Sequence, residues 1–457
     1  MKIVVVAHGP PVDLDQPVSG GALRASVHVN ALEGAGHEVV VMRRAQDAPG
    51  GFTSPRDLRR KVSAARPDAV LCVAVEEAGA LRGIAPLCVD LYAPRLLEAA
   101  WQGTQSEQAG VALRAVHAAD EVLFSNPRQR WFWLGILGLA GWDLAQPCGR
   151  VVPLACLPGP GRTSPALPYV LMAGPRWPWQ DGSVALAEAV RAAGGRAEVR
   201  VYGAPSGVAG VREMGMVSRR EWLEACAGAG AMLDRYAPHQ ERELAMSFRQ
   251  MDALAAGSPL ISDADTPLGE QLRRGAGWVD GTIAEAVEAA LSCASGAPAL
   301  SSDRSAAVQA LAATYAPAVT EAPLLAWVPT ARARGESVVG AGARVAAATA
   351  RALTAEGLQA AAVAEVASKR AEVEALHGQV RALVSAVESS AAAVADVAAF
   401  RRETVGVLGA RLAGADATRE QLAQHVERLR ADLDKKNAEI DALTAERDRL
   451  QRVFRWR

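Results

Sequence analysis

The stretch from His239 to Pro259, HQERELAMSFRQMDALAAGSP, gathers more chemistry-bearing residues than any comparable run of the chain. It follows a strand-like segment, AMLDRY, and reads as a polar loop leading into a helix. Glu241 falls near the start of that helix, Asp252 late on it, and Gly257 five residues further on. Arg249 and Asp252 are three apart and share a helix face. A cation beside a carboxylate suits a ligand that offers both a diphosphate and ribose hydroxyls. A solvated helix with a local ion pair would produce the same pattern. A second candidate is Gly20-Gly21, which closes the loop after the first strand and opens a helix. Backbone amides at a helix start favour anions, and glycine permits close approach. The pair lacks the G-x-G-x-x-G spacing of a dinucleotide fingerprint, which counts against hydride transfer. Asp263-Ala264-Asp265 and Asp13-Leu14-Asp15 spell D-x-D and read as turns. His8, His28, His117 and His377 have no metal or triad spacing and read as structural or exposed, so no metal site is expected.

The elements that must position these residues alternate. Ile3 to Val6, VVVM, AVLCV, LCVDL and EVLFS are strand-like, with helical patterns between most of them, beginning with a helix from Gly20 to about Ala35. Near-continuous apolar strands between helices indicate a parallel sheet covered on both faces. LPGPGRTSPALP, near 157–168, cannot continue a helix or central strand and reads as a linker. Alternation then restarts with YVLMAG, a helix from Ser183, EVRVYG, a helix from Arg219, AMLDRY, a single helix through Ala255, and SPLISD. The expected organisation is a first Rossmann-like lobe at 1–157, a linker at 158–168, a second lobe at 169–330 and an Ala-rich helical region at 331–457. Ligands of such folds sit at the carboxyl ends of the strands, here in the cleft between lobes.

Size and composition bound the possibilities. A chain of 457 residues exceeds one ordinary core. With 50% apolar and 22% charged residues it is globular, and a net charge of -1 argues against bulk nucleic-acid binding. Six scattered cysteines without a C-x-x-C pair read as reduced core residues of a cytoplasmic protein. The apolar run at the N-terminus is too short for a signal-peptide core, and no segment reaches the roughly 20 apolar residues of a membrane span. RWFWLGILGLAGW, Arg130 to Trp142, reads as a buried helix, with a membrane-surface or acceptor-docking helix as the alternative. From Leu422 a heptad runs through Val426, Leu429, Leu433, Lys436, Ile440, Leu443, Arg447, Leu450 and Phe454, which predicts a coiled coil that oligomerises the protein or docks a partner helix. Val380, Leu383, Val387, Val394 and Val397 repeat the spacing more weakly. The end FRWR sets Arg455 and Arg457 around Trp456, a pattern that suits peripheral contact with an anionic membrane and equally a frayed helix end.

Six segments, in order, resemble bacterial family 4 glycosyltransferases of the GT-B fold over residues 1–330: GGALRASVHVNALEGAGHEVVV, PLCVDLYAPRLLEAA, AADEVLFSNPRQRWFWLGIL, GPRWPWQDG, HQERELAMSFRQMDALAAGSPLI and APLLAWVP. The resemblance implies two Rossmann-like lobes facing a cleft, and transfer from a nucleotide-sugar to a glycan or lipid-linked saccharide with retained anomeric configuration. It places Asp252 on the nucleotide ribose, and Glu241, Arg249 and His239 against the donor sugar and diphosphate. Arg176 takes the position of a phosphate-binding cation, Trp177 and Trp179 stack or wall the loop, and Gly257, Gly20 and Gly21 belong to the donor-binding set. Asp90 and Glu98 would line the acceptor side. No metal and no cofactor is implied. The family's donor helix more usually carries two glutamates eight apart, whereas position 244 is Leu244, and no basic residue directly follows Arg176. These departures keep two rivals in view: an inactive glycosyltransferase-like scaffold, and a nucleotide-sugar epimerase of the same fold.

Overall fold

The computed structural model describes residues 1–173, 180–263, 265–272, 278–279, 282–296, 302–334, parts of 363–382, and 397–454. Arg176, Trp177, Trp179, the weaker heptad positions from Val380 to Val394, and FRWR from Arg455 onward lie outside the described residues.

The first lobe runs β1 (Lys2–Val6), α1 (Gly20–Gly34), β2 (Glu38–Met42), α2 (Pro55–Ala65), β3 (Ala69–Cys72), α3 (Ala78–Leu81), β4 (Leu87–Asp90), α4 (Arg95–Trp101), α5 (Gln105–Ala118), β5 (Glu121–Phe124), α6 (Pro127–Leu139) and β6 (Arg150–Val151). Its strands pair in parallel in the order β2-β1-β3-β4-β5-β6. Burial of both faces is written into β1. Val4 and Val6 enter one core, whereas Ile3 and Val5 enter the core on the opposite side. Each such side chain contributes on the order of 1.5–3 kcal/mol on burial. The helix Arg130 to Trp142 is buried on one face only. Gln129, Trp133 and Leu137 face inward along α6, whereas Trp131 and Leu139 stand in solvent at 75% and 68% exposure.

The second lobe runs β7 (Tyr169–Ala173), α7 (Ser183–Ala193), β8 (Glu198–Tyr202), β9 (Arg212–Gly215), α8 (Arg219–Gly228), β10 (Ala231–Asp234), α9 (Gln240–Leu244), α10 (Phe248–Ala255), β11 (Leu260–Ser262), α11 (Pro267–Gln271), β12 (Trp278–Val279) and α12 (Ile283–Ala294). Its parallel order is β12-β11-β10-β7-β8-β9. Thus β1 and β3 flank the switch point of the first sheet, and β7 and β10 flank that of the second. The short strands β6, β9 and β12 extend the two sheets beyond the runs expected from sequence.

The chain then continues through α13 (Ser302–Thr314), α14 (Pro317–Thr320) and α15 (Ala322–Trp327). This stretch, counted up to residue 330 with the second lobe in the expected organisation, packs on both lobes. Val308 and Tyr315 belong to a core of the second lobe, but Leu324, Trp327 and Val328 fill the first lobe's core beside Ile3, Val5 and Leu71. The outgoing and returning crossings touch, with Cys156 N donating to Tyr315 O at 2.8 Å. The first lobe is therefore assembled from both ends of the 1–330 region, because those three apolar side chains are buried only there.

All six cysteines are buried free thiols. The heptad run lies on one continuous helix, α16 (Val397–Phe454). Apart from Ala99–Gly110, both lobes fall within one compact unit, and α16 falls within another. No helix among the described residues is long and apolar enough to cross a membrane.

Candidate active site in the cleft between the lobes

On the first-lobe side, the loop after β1 carries His8 and Gly9, and Ser19 caps α1 by accepting from Ala22 N at 3.2 Å. Gly21 fits closely here: a Cβ would sit 3.1 Å from both His8 Nδ1 and Tyr92 Oη, so these side chains would have to give by a few tenths of an ångström. The glycine thus lets the first turn of α1 close against residues that follow β1 and β4. Beyond β3, Glu76 accepts from Arg95 at 2.9 Å. Burial pushes the Glu76 carboxyl upward, but Arg95 and the charge of His8 help bring it below the usual range. Glu98 sits in the first turn of α4, close enough for its charge to act on Tyr92 and Arg95. Glu76, Tyr92 and Arg95, not singled out in the sequence, lie on this side together with His8, which was expected to be structural or exposed. Their signal was positional, since each follows the carboxyl end of a parallel strand.

On the second-lobe side, β10 ends at Asp234, whose Oδ2 accepts from Gln250 Nε2 at 2.6 Å and Ser262 Oγ at 3.0 Å. Arg242 donates to Asp234 O and to Asp263 Oδ2, each at 2.9 Å, and its guanidinium lies 4.7 Å from the centre of the Tyr236 ring. Arg249 also acts on Tyr236, whose hydroxyl burial pushes up to about 12 against the pull of these arginines. Arg235 Nε is buried without a hydrogen-bond partner among the described residues, with Asp263 at 3.7 Å. Three arginines, at 235, 242 and 249, therefore gather around the carboxyl end of β10. D-x-D at 263–265 supplies counter-charge to Arg235 and Arg242 through Asp263; among the described residues no cluster suited to a metal ion is present.

The single helix expected from Glu241 through Asp252 is two. His239 caps α9, its Nδ1 accepting from Glu241 N at 3.0 Å, and Glu241 is buried. Burial holds the His239 imidazole below its ordinary value. The chain then extends through Ala245, and Ser247 starts α10 in a reciprocal capping box with Gln250. S-F-R-Q carried that break in the sequence. Arg249 and Asp252 do share α10, yet Asp252 turns inward. Arg219 engages both of its carboxylate oxygens, and Trp222 Nε1 donates at 2.8 Å. Burial pushes the Asp252 carboxyl upward, and Arg219 and Trp222 pull it back. Asp90 likewise turns inward, fully buried between Arg24 and His28 rather than facing an acceptor. Gly257 takes φ +68° directly after α10 and meets Arg162 of the linker, which makes it a helix stop.

The lobes meet where these groups converge. A Cβ on Gly20 would lie 3.8 Å from Phe248, at the start of α10. Asn126, the cap of α6, donates to Leu244 O at 2.7 Å, and Arg128 reaches Glu243 O, Asp265 O and Glu270. These contacts join Gly20, Asn126 and Arg128 to Phe248, Leu244, Glu243, Asp265 and Glu270, beside the loops that carry His8 and Gly21 in the first lobe and His239, Glu241 and Arg249 in the second.

No family model and no curated protein matches the sequence. Among solved structures the chain is similar to an α-glucosyltransferase in complex with UDP-glucose and DNA containing an abasic site, with 9% identity over 72% of this chain and 99% of that one, at a TM-score of 0.51. It is also similar to HepE of Anabaena in complex with UDP and glucose (14% identity, 72% of this chain and 100% of that one, TM-score 0.47). A glycosyltransferase involved in avilamycin A biosynthesis gives 16% identity over 72% and 97%, at 0.42. The fold is GT-B. At such identities the likeness concerns the arrangement of two Rossmann-like lobes, and the chemistry rests on this chain's own residues.

Proposed function

We propose that the chain transfers a sugar from a nucleotide-sugar, held by the second lobe, to a hydroxyl of a saccharide acceptor held by the first. The observation that carries this reading is the cluster of Arg235, Arg242 and Arg249 at the β7/β10 switch point, within a GT-B fold. In the transfer, the bond from the sugar's anomeric carbon to the phosphate oxygen breaks and one to the acceptor oxygen forms. The hydroxyl proton leaves, and negative charge grows on the departing diphosphate. Fixed cations stabilise that charge most where water is excluded. Arg176, which follows β7 in the sequence, is the further cation proposed for the same diphosphate. Glu241 and His239 are the residues proposed to meet the donor sugar. His8, Glu76, Tyr92 and Glu98 offer donors and acceptors for sugar hydroxyls on the facing side. A surface glycan or lipid-linked saccharide is the proposed acceptor, and α16 the proposed means of self-association or docking through a coiled coil.

The test is nucleotide binding. UDP, GDP, dTDP and ADP are titrated by calorimetry into wild type and into Arg249→Ala and Arg242→Ala. One nucleotide should stabilise the wild type, by about 2.7 kcal/mol at 100 times its dissociation constant, and lose affinity in both variants. Binding by none of them removes the donor site. Asp252→Ala is unsuitable as a control, because it strips Arg219 of its buried partner. The locked Asp252 also supports a second reading, in which the body binds a nucleotide without transfer. Release of free sugar or a glycosylated product from labelled donor decides against it.

A further inference from the structure

Outside the cleft, the first lobe buries four ionisable side chains together. Arg24 Nε donates to Asp90 Oδ2 at 2.7 Å, and its other nitrogens donate to Val152 O and Pro153 O, each at 2.7 Å. His28 lies between two carboxylates, with Nε2 2.9 Å from Asp90 Oδ2 and Nδ1 2.6 Å from Glu321 Oε2. Glu321 Oε1 stands 4.0 Å from Arg24. All four side chains are fully buried. They come from α1, from the end of β4, and from the junction of α14 and α15, where the chain returns to this lobe.

We propose that Arg24, His28, Asp90 and Glu321 form a proton-dependent latch that fastens the return segment to α1 and so holds the Gly20–Gly21 turn against His8 and Tyr92. Geometry sets the proton count. A neutral imidazole has one donor and one acceptor, and ionised carboxylates only accept. With both ring nitrogens on carboxylates, the ring must carry two protons for both contacts to be hydrogen bonds. Two cations then balance two anions, as burial demands. The groups facing His28 are Arg24 from its own helix, Asp90 from β4 and Glu321 from the return segment; Tyr92, beyond β4, acts on Arg24. Burial alone depresses the imidazolium. Glu321, opposed by Arg24, and the bonds to Asp90 and Glu321 outweigh it, so the His28 value is raised. A group raised on folding contributes stability that is complete below its unfolded value, about 6.5, and is lost as pH rises through the higher folded value.

The latch does not depend on the transferase reading, and its test uses no nucleotide. Ring nitrogen NMR on histidine-labelled full-length protein should show His28 doubly protonated at pH 7, above its ordinary value; a neutral ring there overturns the proposal. His28→Gln assigns the signal, and Gln variants of the other histidines assign it by elimination if that variant fails to fold. In parallel, wild-type stability should fall above pH 6.5 with a slope approaching one proton released on unfolding, a slope missing from His28→Gln. Hydrogen exchange in His28→Gln should quicken about tenfold in α1 and α15 but not in β7. Equal slopes in the two proteins, or exchange that quickens equally in both lobes, would refute the latch.

Discussion

Arg24 and Arg219 are each buried against a carboxylate, one per lobe, and the two ties are built differently. Arg219 and Asp252 are 33 residues apart and join neighbouring helices α8 and α10, with Trp222 as the third member. Arg24 and Asp90 are 66 apart, and His28 extends their network to Glu321, 293 residues away. The short tie sets the angle of two helices inside one lobe. The long one closes a lobe around a segment made far downstream. Burial raises the Asp252 carboxyl, whereas Arg24 and His28 overcome burial and hold Asp90 below the usual range. Asp252 has one cation and an indole set against its burial, and Asp90 has two cations.

That contrast can be broken from the second lobe first. Asp252→Ala should cost about 3–5 kcal/mol, because it leaves Arg219 buried without its counter-charge. Denaturant midpoints read this directly, and a cost below 1 kcal/mol would mean that water reaches Arg219. In the first lobe, Glu321→Gln keeps shape and a hydrogen-bonding group, so the expected loss is smaller, about 1–3 kcal/mol. It should also remove most of the alkaline slope that belongs to His28. Equal losses for the two substitutions would erase the distinction between the ties.

The turn that the long tie supports supplies the next test. Gly21→Ala would place a methyl 3.1 Å from His8 Nδ1 and Tyr92 Oη, so about 1–3 kcal/mol of overpacking is expected, with weakened binding in the cleft. Gly20→Ala, with Phe248 at ordinary contact distance, should stay within about 0.5 kcal/mol. The smallest effect concerns acid. Asp90 is lowered on folding, so its stabilisation is present above the ordinary carboxylate value near 4 and is lost as pH falls through the folded value. Asp90→Asn should flatten the acid limb of the stability profile, whatever its cost at neutral pH.

The lobes were legible because each strand is a compact apolar run that both faces of a sheet can bury, as with Ile3–Val6 and Tyr169–Ala173. The loop that carries His239 and Glu241 was legible too, since it does follow the carboxyl end of β10. What stayed hidden was long-range pairing. Nothing in the spacing of Asp252 indicates that Arg219, on another helix, takes both its oxygens. His28 and Asp90 showed no local partner because their partners come from three separate elements. The break between α9 and α10 was different in kind: Ser247 and Gln250 announced it three residues apart, and the continuous helical pattern around them obscured it.

The return of Leu324, Trp327 and Val328 to the first lobe has a consequence for how the chain is made. On the ribosome, β1 to β6 emerge early, yet the face of their sheet that carries Ile3, Val5 and Leu71 lacks its final cover. Roughly 180 further residues must be synthesised first, about 10–35 s at about 5–20 residues per second. The second lobe is complete before the first. A fragment ending at the linker would expose that apolar face permanently, so the lobe that starts the chain is the one least able to live alone.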